Sequence, residues 1–233
     1  MGDQLHLEEI NFDPQDPFPL LELDSFNYSQ AKIHAEKVDH WLGFQITATE
    51  NLIYQKETER KSGLPDSFPQ ERWSGLDVQS LSTPYLELRA ALGLLNIQPG
   101  SWIADLGCAY GRLAHILGRH YPQTYFVGYE LVTERVQEAQ RVLKKFAYPL
   151  VQILERDLVT EPPRAADIYF VYDYGSNRAI EKTLQDLREI SLQQQFQVIA
   201  RGRASRALIS QHHPWLCEVY PPRHFSTFTI YSS

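Results

Sequence analysis

Cysteine is scarce: the 233-residue chain has only Cys108 and Cys217. Two thiols make neither a disulfide scaffold nor a zinc cluster, so a reducing cytoplasm is the expected compartment. Long apolar runs are missing too. None approaches the ~20 residues that cross a bilayer, and the N-terminus lacks a basic stretch followed by an apolar one. Neither a membrane span nor a secretory leader is expected. There is no internal repeat and no low-complexity tract. A basic excess is absent, since the net charge is −7. Residues 1–80 carry 6 Lys/Arg against 15 Asp/Glu, whereas residues 178–233 carry 7 against 4. Nucleic-acid binders usually show a strong basic face. Here Arg201, Arg203, Arg206 and Arg223 give only a mild one, read as solvated side chains, and nucleic acid is not an expected partner. The acidic N-terminal third would repel a polyanion and attract a basic group.

What remains is an ordinary globular composition, 43% hydrophobic and 22% charged. A chain of this length buries a core without metal or disulfides. Residues 1–26, with Pro14, Pro17 and Pro19, read as an extended arm draped on a surface. From Ser29 to about Arg60, Ala31, Ala35, Val38, Leu42, Ile46 and Ile53 recur at helical steps, with Gly43 as a dividing point. Gly63, Pro65, Pro69 and Gly75 mark an irregular connection over 61–82. A helix is expected from Thr83-Pro84, with Pro84 at its first position, where a missing N–H does no harm.

Strands and helices then alternate. Strands are expected over 101–106, 124–130, 150–155, 167–172 and 196–201, the fourth of them central. Helices are expected over 110–121, 133–146 and 177–191, with Ser176 as a cap. At the end, 215–220 and 224–231 read as two strands that pair antiparallel through Pro221-Pro222. His212 and His213 read as surface loop residues. The pattern predicts an α/β fold: a doubly wound, mostly parallel seven-stranded sheet closed by an antiparallel hairpin. Residues 1–82 would be an N-terminal arm and helical cap, and 83–233 the α/β domain.

Residues 102–112 carry the functional signal: Trp102-Ile103-Ala104-Asp105-Leu106-Gly107-Cys108-Ala109-Tyr110-Gly111-Arg112. A buried strand ends on an acid, breaks into a glycine loop and enters a helix, which is how such sheets build ligand sites. A dinucleotide fingerprint would need Gly-x-Gly-x-x-Gly with backbone donors aimed at phosphate. Here the spacing is Gly107-x-Ala109-x-Gly111. Asp105 is a poor neighbour for a diphosphate and a good one for an ammonium group.

This segment, with the terminal antiparallel pair, resembles the class I, Rossmann-like S-adenosylmethionine-dependent methyltransferases. Asp105, Gly107 and Gly111 match the family's first motif, with Ala109 in place of the middle glycine. The resemblance implies S-adenosylmethionine as cofactor, its methionine end held by the turn containing Gly107, Cys108, Ala109 and Gly111. It implies that Glu130 accepts the ribose hydroxyls, that Asp157 and the Leu158 amide contact adenine, that Tyr172 also belongs to the cofactor site, and that Tyr172, Asp173 and Tyr174 border the transferred methyl. Asp173 would orient or deprotonate a nucleophile, and the Tyr174 face would stabilise a cation. The Asn/Asp-Pro-Pro-aromatic signature of many DNA amino-methyltransferases is absent. Residues 82–231 also look similar to the non-SET lysine methyltransferases, although Asp173-Tyr174 departs from that group. The expected function is methyl transfer to an unidentified acceptor, a protein side-chain amine or a small molecule. The alternatives are a non-catalytic S-adenosylmethionine-binding regulatory protein and a nucleotide-dependent oxidoreductase.

Overall fold

The computed structural model describes residues 10–61 and 82–233. The start of the expected arm and residues 62–81 of the connection expected over 61–82 lie outside the described residues. Helix α1 spans Tyr28–Leu42 and opens on a capping box, in which Asn27 Oδ1 accepts from the Gln30 amide at 2.9 Å and Gln30 Oε1 from the Asn27 amide at 2.9 Å. Two otherwise orphaned donors are thereby satisfied. Gly43, at φ +82°, ends α1 in the left-handed region, so the expected division falls where it was placed. Helix α2 spans Ile46–Lys61 and α3 spans Tyr85–Gly93. Pro84 is the cap before α3 rather than its first residue, at φ −62° and ψ 147°. Its extended ψ supplies the entry to the helix.

The remaining elements alternate as β1 (Trp102–Leu106), α4 (Arg112–His120), β2 (Tyr125–Glu130), α5 (Thr133–Leu143), β3 (Val151–Glu155), β4 (Ile168–Tyr172), α6 (Asn177–Ser191) and β5 (Gln197–Arg201). After them come α7 (Arg203–His212), the single turn α8 (Trp215–Glu218), β6 (Arg223–His224) and β7 (Phe228–Ser232). The seven strands lie in the order β3-β2-β1-β4-β5-β7-β6. The first five are parallel, and β7 runs antiparallel to β5, with Gln197 opposite Ser232. This is the doubly wound sheet the sequence predicts, with β4 at its centre.

Alternate strand residues feed two cores. Ile103, Phe126, Ile153, Phe170 and Ile199 face α1, α3, α4 and α5. Ala104, Val127, Tyr169, Val171 and Val198 face α6, α7 and α8. The arm adds Phe18, which is buried with its ring centroid 5.2 Å from that of Tyr85.

Two expectations fail at the C-terminal end. Residues 215–220 are not a strand: Trp215–Glu218 is a helical turn, and the hairpin is the tighter one between β6 and β7, closed by the Phe225 amide on the Phe228 carbonyl at 2.9 Å. Six apolar-rich residues carry too little periodicity to separate strand from turn. His213 is not a surface residue either. It is buried, accepts from Trp215 Nε1 at 3.2 Å, and its Nε2 stands 3.1 Å from the Glu181 carboxylate.

The helices before β1 are fastened by charge. Arg112, the first residue of α4, makes a buried ion pair with Asp39 of α1, and donates to the Thr83 carbonyl at 3.2 Å. Tyr85 donates its hydroxyl to the same Asp39 at 2.7 Å, and its ring lies 5.2 Å from the Arg112 guanidinium. Arg135 of α5 holds Glu50 of α2 through two bonds, at 2.9 and 3.1 Å. Removing one member of a buried pair leaves an uncompensated charge, at a cost of about 3–5 kcal/mol. Asp39→Ala should therefore lower unfolding stability by an amount in that range. Denaturant unfolding checks this, and a loss under ~1 kcal/mol, the scale of an exposed pair, would contradict it.

Candidate functional site

β1 delivers the chain into the glycine loop at the carboxyl edge of the sheet. Gly107 has φ +85° and Gly111 has φ +72°. A Cβ on Gly107 would lie 2.0 Å from Tyr174 Cβ, and one on Gly111 would lie 2.2 Å from Ile153 Cδ1. Both angles favour glycine, and at Gly107 the Tyr174 Cβ also leaves no room for a side chain, whereas at Gly111 the neighbour is the movable tip of Ile153. The Gly107 and Cys108 amides donate to the Tyr129 carbonyl at 2.9 and 2.8 Å, which ties the loop to the end of β2. Ala109 adopts φ +48°, a left-handed angle that a side chain disfavours.

Asp105 and Glu130 end neighbouring strands. Glu130 is buried; it accepts from the Ala109 amide at 2.9 Å and the Val132 amide at 2.8 Å. Burial, and then the Glu130 charge, push the Asp105 carboxyl up to about 7. Burial also raises Glu130, against the opposing pull of Arg135 and its amide donors. The Cys108 thiol is raised by burial and by both acids, which keeps it protonated and a poor nucleophile. Beyond β3, Asp157 accepts from the Val159 amide at 2.9 Å.

All the expected site residues except Gly111 border one cavity of about 710 Å³. Gly111 stands behind the loop against Ile153. The cavity sits across the ends of β1, β2, β4 and β5, where the strand order reverses. Such a switch point is the usual ligand crevice of an open α/β sheet.

The two residues expected to do chemistry border the cavity with their polar atoms already engaged. Asp173 accepts from the Ala204 amide at 3.0 Å, the Ser205 amide at 2.7 Å and the Ser205 hydroxyl at 2.5 Å, and so caps α7. Gly202, at φ +94°, is required beside it, because a Cβ there would lie 2.2 Å from the Asp173 carboxyl carbon. Tyr174 bonds through its hydroxyl to Thr183 and to the Ala179 carbonyl in α6. Its Cβ packs over Gly107, so the fourth-strand loop braces the first. Ser176 caps α6 as expected, accepting from the Ala179 amide at 3.2 Å.

Sequence reading missed Arg112, Arg135 and Arg201 as cavity residues. The signal was present for Arg112, which directly follows the last loop glycine. It also missed Glu50, whose carboxylate accepts from Tyr110 of the glycine loop at 2.7 Å while holding Arg135 beside Glu130. One side chain from α2 thus clamps the loop after β1 and the helix after β2. The residues that make such a clamp lie too far apart in the chain to show a pattern.

No family model and no curated protein matches the chain. Among solved structures it is similar to an RNA methyltransferase from Salinibacter ruber in complex with S-adenosyl-L-homocysteine, at 20% identity over 64% of this chain and 90% of that one, TM-score 0.47. It is similar to a "putative Methyltransferase from Pseudomonas syringae", at 15% identity over 63% of this chain and 95% of that one, TM-score 0.45. It also resembles StiE O-MT residues 961–1257, at 16% identity and TM-score 0.44, where the match covers 63% of this chain but spans only half of that one.

The backbone of Ala109 supplies a test of the loop. A left-handed angle costs a side-chain-bearing residue ~1–2 kcal/mol, while glycine's freer unfolded chain returns ~0.4–1 kcal/mol of that. Ala109→Gly should stabilise the protein by about 0.5–1 kcal/mol on these figures. A thermal or denaturant melt showing destabilisation would contradict the loop geometry.

Proposed function

We propose that the protein is an S-adenosylmethionine-dependent methyltransferase. One observation carries this reading. Two neighbouring carboxylates, Asp105 and Glu130, face a switch-point cavity, and burial and mutual repulsion disfavour their joint ionisation. A cationic ligand relieves that repulsion, whereas a diphosphate would add to it. S-adenosylmethionine fits the donor set: it brings an ammonium, a sulfonium and a ribose diol, and the sulfonium supplies a methyl group activated for displacement.

In this reading Asp105 and the glycine loop hold the cationic end. Glu130 accepts ribose hydroxyls, and Asp157 with the Leu158 amide meets the base. Glu130 keeps its two backbone donors while doing so, since a carboxylate has about four lone-pair sites. Asp173 and Tyr174 act by position: one fixes the turn before α7, the other presses on Gly107. Positioning and exclusion of water then supply most of the acceleration. A small molecule or a protein amine is the acceptor; a cofactor-binding protein without turnover is the second reading. Calorimetry with S-adenosylmethionine, together with an assay for S-adenosylhomocysteine release, separates them. Binding of a nicotinamide dinucleotide in place of S-adenosylmethionine would overturn both.

The Asp105 carboxyl gives the binding a pH signature. In the free protein it is neutral below about pH 7 and ionised above. A cation prefers the ionised form, so affinity for S-adenosylmethionine should rise with pH up to about 7 and level off above it. The limiting slope is about tenfold per pH unit for one coupled proton. Asp105→Asn should lose roughly ten- to a hundredfold in affinity, the worth of a charged hydrogen bond, and should flatten the profile. An Asp105→Asn titration with unchanged affinity and slope would remove Asp105 from the site.

A further inference from the structure

The half of the cavity at the ends of β4 and β5 has two unfilled donors. Tyr172 ends β4, borders the cavity, and has a buried hydroxyl with no hydrogen-bond partner among the described residues. A buried hydroxyl left unpaired has lost its bonds to water with nothing in return. On a residue that borders a cavity, such a hydroxyl is a donor open to a ligand atom. Arg201 ends β5 beside it, with its guanidinium carbon 5.9 Å from the Tyr172 ring centroid and 6.0 Å from that of Tyr28. Glu87 of α3 holds Arg201 Nε at 2.7 Å and Nη2 at 3.3 Å. The other edge of the guanidinium, Nη1, makes no hydrogen bond to a described residue, and Arg201 borders the same cavity.

We propose that Tyr172 and Arg201 form the acceptor subsite, and that they recognise a carboxylate carried by the methyl acceptor. This rests on the methyltransferase reading, which places the cofactor against Asp105, Glu130 and Asp157 and leaves the β4–β5 half open. A phenol O–H and one guanidinium edge offer donors to the two oxygens of a carboxylate. An ammonium in that place would meet the Arg201 charge. A phosphate dianion or a nucleic-acid backbone would bring more negative charge than one half-committed arginine offsets, beside Glu87 and Asp105. Tyr172 remains a donor at all ordinary pH, because burial and then the Glu87 charge hold its hydroxyl well above the usual tyrosine range. Glu87 in turn fixes the guanidinium plane, so the free edge is aimed before the ligand arrives.

The test uses the full chain saturated with S-adenosylhomocysteine, titrated with benzoate, benzylamine and inorganic phosphate by calorimetry or ligand-observed NMR. Benzoate should bind in preference to the other two. Tyr172→Phe should weaken it about tenfold or more, in line with the loss of a hydrogen bond to a charged acceptor. Arg201→Lys retains the charge opposite Glu87 but removes the free edge, and should weaken benzoate about tenfold or more, as for a charged hydrogen bond. Affinity for S-adenosylhomocysteine should stay unchanged in Tyr172→Phe. Preference for benzylamine or phosphate, or benzoate binding indifferent to both substitutions, would overturn the acceptor assignment alone. Tyr172→Phe weakening S-adenosylhomocysteine instead would move Tyr172 to the cofactor's side and overturn it as well. Failure of the unaltered protein to bind S-adenosylhomocysteine would remove the methyltransferase reading and this subsite together.

Discussion

The buried charge cluster of Asp39, Arg112 and Tyr85 is the constraint on which the site depends. Arg112 is both the first residue of the helix that follows the glycine loop and a wall of the cavity. It cannot stay inside the protein without a counter-charge. Asp39 supplies one from α1, Tyr85 adds a hydroxyl bond and a ring face, and the Thr83 carbonyl takes a further donor. The loop after β1 therefore holds its shape only if α1 and the start of α3 are in place. The Glu50 clamp on Tyr110 and Arg135 repeats this at the next strand.

The same accounting of charge separates the two ends of the cavity. On one side, Asp105 and Glu130 are poorly compensated and disposed toward a cation. On the other, Glu87 and Arg201 nearly cancel, and what remains is directional: one phenol hydroxyl and one guanidinium edge. A cavity with a cation-seeking end and a donor end suits two dissimilar ligands lying side by side. Asp173 and Tyr174 border the same cavity with their polar atoms tied into α7 and α6, so that region is stiff.

The doubly wound sheet was legible because its signals are local and repetitive. Phe126, Ile153 and Phe170 alternate with residues of the opposite core, and the helices of the α/β region carry apolar faces at helical spacing. The left-handed turn at Gly43 and the Ser176 cap could be located from residue type alone. The loop of Gly107 and Gly111 was equally plain, because both angles favour glycine and Gly107 also lies against Tyr174 Cβ. Short elements were not legible: Trp215–Glu218 is a single turn and β6 is two residues. Long-range polar partners were also hidden. Nothing in the order of residues says that Asp39 meets Arg112, or that Glu50 meets Arg135. The uneven charge along the chain was visible, but its partners within the same chain were not.

The acidic character of the N-terminal third thus acquires an internal meaning. Asp39 and Glu50 neutralise arginines that belong to the cavity wall, so the extension completes the electrostatics of the α/β unit instead of merely covering it. A chain beginning at residue 83 would keep every strand yet leave Arg112 without its counter-charge and Arg135 with Glu130 alone, so that cations would compete with the ligand for the pocket's own carboxylates. The first sixty residues would then matter to ligand affinity even if none of them touches the ligand.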